Sequence, residues 1–121
     1  MGSDPSMDVT EENKHVVLRQ IEALNAGDVE ASLGLAHPDL FDHDAGRGAD
    51  SREVVRRLHE RFAGARVEPL DIVAEEDRVA VRARVRVDGV SSQEIHIWRL
   101  SDGRIVEHWS GDRLRPLEEE T

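Results

Sequence analysis

The fold is decided by residues 93–112, which read QEIHIWRLSDGRIVEHWSGD. Apolar and polar side chains alternate on both sides of Asp102-Gly103, and an Asp-Gly pair between two alternating runs is the strongest short-range signal for a β-hairpin. Both tryptophans of the chain and two of its six histidines lie in this stretch. Because a hairpin cannot bury its apolar face by itself, we expect the rest of the chain to cover it.

Two further strands precede this hairpin. Side chains alternate through residues 78–88, and Asp88-Gly89 predicts a second tight turn. An earlier strand covers residues 67–74, where Pro69 favours a sheet edge or a bulge because proline has no backbone N–H to donate. Together these segments predict a meander of four consecutive antiparallel strands.

Three helices are predicted before the meander, from apolar residues at helical spacing. Their starts carry N-capping side chains, which are Asp8 or Thr10, Asp28, and Asp50. Their ends are marked by Gly27, His37-Pro38 and Gly64. Between the second and third helices, residues 39–44 predict a short strand or extended segment.

Helices followed by a meander define an α+β domain, in which a curved antiparallel sheet packs on the N-terminal helices as a cone. The inside of such a cone is the natural place for a ligand. We expect the domain to span residues 7–113, with residues 1–6 as an expression scar and residues 114–121 as an acidic tail.

The composition excludes several classes of function. A net charge of -10 argues against nucleic acids and anionic membranes as partners, since both require a basic surface. The chain has no cysteine, no apolar run long enough to span a bilayer and no signal peptide before the first helix, so the cytoplasm is the expected location. The lack of tyrosine excludes a phenol as catalyst, and a single lysine, Lys14, argues against Schiff-base chemistry.

The candidate site lies on the hairpin, because alternate residues of a strand share a face. The two sets of interest are Glu94, His96 and Trp98 on the first strand, and His108, Ser110 and Asp112 on the second. A three-residue loop, residues 101–103, would pair His96 with His108 and put both sets on one face. A two-residue loop would pair His96 with Trp109 and send His108 to the other face. We favour the three-residue loop because it groups the polar residues opposite Ile95, Ile97, Ile105 and Trp109.

His96, His108 and Asp112 are the candidate catalytic residues, because imidazoles titrate near neutral pH and a carboxylate can orient one of them. The candidate substrate-binding residues are Trp98, Glu94, Ser110 and, from the segment before the third helix, His43. The structural alternative is that these histidines are hydrogen-bonded surface or rim residues. No pair of histidines has the close spacing of known metal motifs, so we expect no metal. The sequence also has no phosphate-binding glycine loop and no nucleotide fingerprint, so we expect no organic cofactor.

Three segments of the chain resemble the SnoaL-like polyketide cyclases: residues 37–44 (HPDLFDHD), 72–82 (IVAEEDRVAVR) and 97–109 (IWRLSDGRIVEHW). The resemblance implies the cone-shaped fold of nuclear transport factor 2, also called a cystatin-like roll, and a homodimer packed through the sheet. Cyclases of this family close a polyketide ring by an intramolecular aldol reaction without a cofactor, using a pocket aspartate and a histidine. The motifs place that histidine at His96 and the aspartate at Ser110, so Asp112 is the candidate substitute.

Two functions are therefore expected. The first is a cofactor-independent acid/base enzyme, of cyclase or isomerase type, that acts on a small hydrophobic carbonyl compound. The second is a non-catalytic ligand-binding or dimerisation module of the same fold. The cluster of His, Asp and Trp side chains favours the enzyme, whereas Ser110 and the short loop at residues 88–92 favour the binding module.

Overall fold

The computed structural model describes residues 8–46 and 50–111. The elements are, in order, α1 (Val9–Ala26), α2 (Val29–Leu35), β1 (Ala36–Asp42), α3 (Ser51–Arg61), β2 (Ala65–Glu75), β3 (Arg78–Val87), β4 (Val90–Ser101) and β5 (Arg104–Gly111). The predicted expression scar, the acidic tail and the candidate residue Asp112 lie outside the described residues. None of the described helices is long and apolar enough to cross a membrane.

The predicted capping residues begin all three helices. The side chains of Asp8, Asp28 and Asp50 each accept a hydrogen bond from a backbone N–H of the first helical turn. These bonds satisfy N–H groups that have no partner within the helix. Thr10 is not the cap of α1, because its hydroxyl instead donates to the carboxylate of Asp8.

The five strands form one open sheet in the order β1-β5-β4-β3-β2. Strands β2 to β5 are the predicted antiparallel meander. The remaining strand, β1, pairs in parallel with β5, so the sheet is mixed. Pro69 lies on the edge strand β2, and the register shifts between Pro69 and Asp71, as expected for a residue without an N–H.

The register of the β4–β5 hairpin differs from the prediction. Ser101 pairs with Arg104, so the turn has two residues, Asp102 and Gly103, with φ values of 53° and 76°. Positive φ at both central residues matches the twist of a two-residue hairpin turn. The predicted three-residue loop is therefore wrong.

A bulge in β5 nevertheless gives the two strands a common polar face. Leu100 pairs with Ile105, but Arg99 pairs with Glu107, so β5 contains one extra residue at this point. The extra residue shifts the alternation of β5 by one position. His108 therefore lies on the inner face with Trp98, whereas a two-residue turn without a bulge would place it on the outer face. Ile105 lies between the turn and the bulge, and its pairing with Leu100 places it in the core rather than on the opposite face.

The core lies between this face of the sheet and the helices. Its apolar residues come from α1, α3 and the inner faces of β3, β4 and β5; they include Val17, Ile21, Val54, Val55, Leu58, Val79, Val81, Trp98 and Leu100. The polar side chains of the candidate site are embedded in this core.

Candidate functional site

Four buried polar side chains form one continuous chain of hydrogen bonds across the interior. Glu94 Oε1 lies 2.8 Å from His96 Nε2, His96 Nδ1 lies 2.8 Å from His108 Nε2, and His108 Nδ1 lies 2.5 Å from Asp42 Oδ2. The exposed fractions of Glu94, His96, His108 and Asp42 are 7%, 3%, 2% and 0%. We call this chain, Glu94–His96–His108–Asp42, the interior network.

Three neighbouring strands place these groups. Alternation along β4 puts Glu94 and His96 on the inner face, and the bulge in β5 puts His108 beside them. The parallel pairing of β1 with β5 sets Asp42 against His108. The sequence had indicated three of the four groups, and Asp42 was missed as a site residue because it comes from a strand paired 66 positions away.

Asp42 is hydrogen-bonded through both of its carboxylate oxygens. Oδ2 contacts His108, and Oδ1 accepts hydrogen bonds of 2.8 Å from the backbone N–H groups of Asp44 and Ala45. This arrangement of a carboxylate over the next turn fixes the orientation of the side chain.

The electrostatics identify Asp42 as the anion of the network. Burial is the largest single effect and would raise its pKa. The hydrogen bond and charge of His108 and the two backbone N–H groups together hold the pKa of Asp42 below its ordinary value. An ionised carboxylate only accepts hydrogen bonds, so the Nδ1 atom of His108 must carry a proton.

His96 shows the opposite balance. Burial lowers its pKa and outweighs the hydrogen bond to Glu94, which raises it; the charges of His108 and Arg61 lower the pKa further. The imidazole of His96 therefore releases a proton more readily than a free histidine does.

The rings of the network are tightly packed. Trp98 stacks on both imidazoles, with centroid distances of 5.4 Å to His96 and 4.9 Å to His108. Phe62, the residue directly after α3, approaches His96 at 5.9 Å. The two cavities that touch the network have volumes of about 10 Å³ each, which is room for one water. The expected ligand cavity inside the cone is thus nearly filled in this conformation.

Two predicted site residues lie outside the network. The Ser110 hydroxyl donates a hydrogen bond to Asp44. A carboxylate therefore lies next to the position where the family resemblance implied an aspartate, although it comes from the segment after β1. His43 lies on the opposite face of the sheet, where it stacks on Trp109 at 4.9 Å and contacts Glu107 at 2.8 Å.

Potential ligand atoms of Asp42, Asp44 and His108 lie within 4.8 Å of one another, which is close enough to share a metal ion. However, Asp42 and His108 already bind each other, and the second oxygen of Asp42 already accepts two backbone hydrogen bonds. A cation would have to displace these contacts, so we assign no metal to the cluster.

The chain belongs to the SnoaL-like domain family, whose model matches residues 17–108. Helices packed on a curved sheet are the fold of this family, and the resemblance seen in the sequence is confirmed. No curated protein matches the chain significantly.

Several solved structures resemble this one. AclR, a proposed hydroxylase from Streptomyces galilaeus, is 28% identical, with a TM-score of 0.66 over 92% of this chain and 96% of AclR. IdmH, a proposed polyketide cyclase from Streptomyces antibioticus, is 26% identical, with a TM-score of 0.64 over 82% of this chain and 90% of IdmH. A proposed ketosteroid isomerase from Kribbella flavida shares the fold at 14% identity, with a TM-score of 0.74 over 88% of this chain and 83% of that chain. The names of these proteins describe different reactions, so the fold alone does not define the chemistry.

The network predicts that acid destabilises the protein. A group whose pKa is lower in the folded state binds fewer protons there than in the unfolded state. Its contribution to stability is therefore lost as the pH falls from the ordinary pKa of the group towards its pKa in the folded state. For His96 this loss begins near 6.5, and for Asp42 it begins near 3.8. We expect the free energy of unfolding, measured in urea, to fall between pH 7 and pH 5. In His96→Gln it should fall less steeply than in the wild type, and the two slopes should differ by up to about 1 kcal/mol per pH unit.

The control for this measurement is His15→Gln, which makes the same substitution at an exposed position of α1. It should keep the pH dependence of the wild type. If the free energy of unfolding depends on pH equally in the wild type and in His96→Gln, the protonation of His96 is not linked to folding.

Proposed function

We propose that the protein is a cofactor-independent acid/base enzyme, of cyclase or isomerase type, that acts on a small hydrophobic carbonyl compound. The observation that carries this proposal is the buried contact of 2.8 Å between Glu94 Oε1 and His96 Nε2. A carboxylate and an imidazole that share a proton in an apolar interior are suited to proton transfer. The similarity to IdmH, a proposed polyketide cyclase, agrees with chemistry of this kind.

The proposed reaction begins with enolisation. A base removes a proton from the carbon next to the carbonyl group, and the electrons of the broken C–H bond form the enolate. The pair of Glu94 and His96 holds the proton, because either group can accept it, and then returns it to the product. In this assignment the substrate displaces Glu94 from His96 Nε2, and the lone pair that is freed removes the proton. Glu94 and His108 exchange protons with His96, and Trp98 forms an apolar wall. A catalytic role for Asp112 stays a prediction from the sequence.

A substrate needs more room than the interior offers in this conformation, and we propose that it enters past Phe62. A surface groove of about 500 Å³ lies between the ends of α1 and α3 and the start of β2. Leu24 and Phe62 line both this groove and the small cavity beside His96. Displacing the Phe62 ring would join the two spaces into a pocket of the size that small-molecule sites usually have.

The second candidate function is a dimerisation module, and it is favoured by the outer face of the sheet. Val73, Ala80, Ile97 and Trp109 pair in sequence across β2, β3, β4 and β5 and form one apolar row, which we call the outer row. A groove of about 490 Å³ runs beside it, and Val73 is 63% exposed. The other three residues of the row are half-buried, and a partly exposed apolar row of this kind fits the homodimer that the family resemblance implies. A dimer is compatible with either function.

The cytoplasmic location remains part of the proposal, as does the absence of a cofactor. Both rest on the composition of the chain and on the family resemblance.

The enzyme proposal predicts that the protein exchanges the α-protons of a hydrophobic ketone with solvent. We expect the wild type to accelerate deuterium incorporation into 1-indanone in D₂O, followed by proton NMR. His96→Gln should lower the rate by about 10²- to 10⁴-fold, since it removes the general base. His15→Gln is the control and should match the wild type.

Circular dichroism must show that His96→Gln remains folded. A wild-type rate equal to that of buffer alone, across a panel of cyclic ketones, would contradict the enzyme proposal. It would leave the binding or dimerisation module as the function.

The access route predicts that a smaller side chain at position 62 favours larger ketones. We expect Phe62→Leu to raise kcat/KM for exchange of 2-tetralone several-fold. The matched control is Phe41→Leu, because Phe41 packs against His43 on the other side of the sheet, at 4.3 Å. Equal kcat/KM values for the two variants would show that Phe62 does not control access.

The outer row predicts a dimer that a charge disrupts. We expect the wild type to sediment as a dimer at micromolar concentration and Val73→Glu to sediment as a monomer, because a buried unpaired carboxylate is strongly unfavourable. Val90→Glu is the control, since Val90 is 71% exposed but lies at the β3–β4 turn, outside the groove. A monomeric wild type, or dissociation of both variants alike, would exclude the sheet face as the interface.

A further inference from the structure

The interior network contains more protons than two neutral histidines can supply. Each of its three contacts joins two atoms that need one proton between them, so the network holds three protons. Two neutral imidazoles provide only two. The third proton makes one imidazole cationic or one of the carboxylates neutral, and in each case the network carries one net negative charge.

This third proton is free to move within limits that Asp42 sets. As long as Asp42 is ionised, the Nδ1 atom of His108 keeps its proton. The third proton can then reside on His108, on His96 or on Glu94, and a shift along one hydrogen bond converts each form into the next. The network can thus move this proton between His108 and its Glu94–His96 end without breaking any of its contacts.

We propose that Asp42 is a positioning residue, which keeps the third, mobile proton in the network by accepting the hydrogen bond of His108 Nδ1. This role deepens the proposed acid/base function and rests on it for its catalytic consequence. Asp42 does not touch the substrate in this assignment. It acts through His108, which has no other hydrogen-bond partners among the described side chains than Asp42 and His96.

Other charged groups do not replace Asp42. Arg61 of α3 is the cation whose charge acts on His96, and it lowers the affinity of that ring for a proton. Asp44 accepts the hydroxyl of Ser110 and lies 3.9 Å from Arg61. The hydrogen bond that holds the proton on Nδ1 of His108 is the one to Asp42, so this proton depends on Asp42.

The variant Asp42→Asn tests this role with almost no change in shape. The two backbone N–H groups of Asp44 and Ala45 require an oxygen at the Oδ1 position, so the new amide must turn its NH₂ group towards His108. The Nδ1 atom of His108 must then accept a hydrogen bond, and the proton of this ring moves to Nε2. His96 must in turn accept at Nδ1 and carry its proton at Nε2, facing Glu94. All hydrogen bonds of the network then run towards Glu94, and the histidines supply only two protons.

The matched control is Glu94→Gln, which changes the other end of the network by the same exchange of carboxylate for amide. The side chain of glutamine can turn either its oxygen or its NH₂ group to His96. Asp42 is unchanged, so His108 should keep its proton on Nδ1.

The experiment is ¹⁵N NMR of the histidine side chains near neutral pH, because the shifts of the ring nitrogens show which of them is protonated. We expect His108 to be protonated at Nδ1 in the wild type and in Glu94→Gln, and to be protonated only at Nε2 in Asp42→Asn. The rate of ketone exchange should fall by about 10²- to 10⁴-fold in Asp42→Asn, as expected when a base is held in the wrong tautomer.

Either of two results would overturn the proposal. The first is a wild type whose His108 lacks a proton on Nδ1, and this result does not require that Asp42→Asn folds. The second is an Asp42→Asn protein whose His108 keeps that proton, or a Glu94→Gln protein whose His108 loses it. A wild type that has the expected tautomers but no exchange activity would instead refute the proposed function and leave the structural role of Asp42 standing.

Discussion

The hydrogen bond between Asp42 and His108 is the contact on which the interior depends. It joins β1 to the C-terminal hairpin at 2.5 Å, with both side chains buried. A buried imidazole without a partner would be unfavourable by several kcal/mol in an apolar interior. Asp42 satisfies His108, His108 satisfies His96, and Glu94 completes the chain. Removing the first contact would therefore change which atom donates the hydrogen bond at the later contacts.

Such a network buries charge, which is unfavourable, and the fold reduces this unfavourable free energy in two ways. The backbone N–H groups of Asp44 and Ala45 neutralise part of the charge on Asp42. The imidazoles separate the two carboxylates, so that Asp42 and Glu94 do not repel each other at close range. Buried polar networks in which every group has a partner favour one arrangement of the core, because any shift would leave a group unpaired. The interior of this protein is thus a structural core that, in our proposal, also holds one mobile proton.

Local sequence signals predict most of the fold. The N-caps Asp8, Asp28 and Asp50, the turns at Asp88-Gly89 and Asp102-Gly103 and the irregularity at Pro69 all arise from residues within a few positions of one another. The hairpin register could not be predicted in this way, because the bulge in β5 is fixed by which side chains the core accepts. The sequence therefore indicated the correct shared face for His96 and His108 but the wrong pairing between them.

The candidate site was only partly predictable for a related reason. Glu94, His96 and His108 could be grouped because they lie in one hairpin, where alternation decides which residues share a face. Asp42 reaches them only through the parallel pairing of β1 with β5, which no local pattern encodes. His43 is next to Asp42 in sequence, and for that reason the alternation of side chains directs it to the opposite face, against Trp109. Long-range strand pairing, more than residue type, decides which histidines join the interior network.

The central claim is that His96 and His108 share a proton inside the core, and one measurement tests it directly. A scalar coupling across the hydrogen bond between His96 Nδ1 and His108 Nε2, measured by ¹⁵N NMR on the folded protein, reports that contact alone. The account predicts a resolved coupling between these two nitrogens, which lie 2.8 Å apart. Two well-ordered imidazole rings with no coupling between them would show that the network is not connected, and the acid/base assignment would then fail.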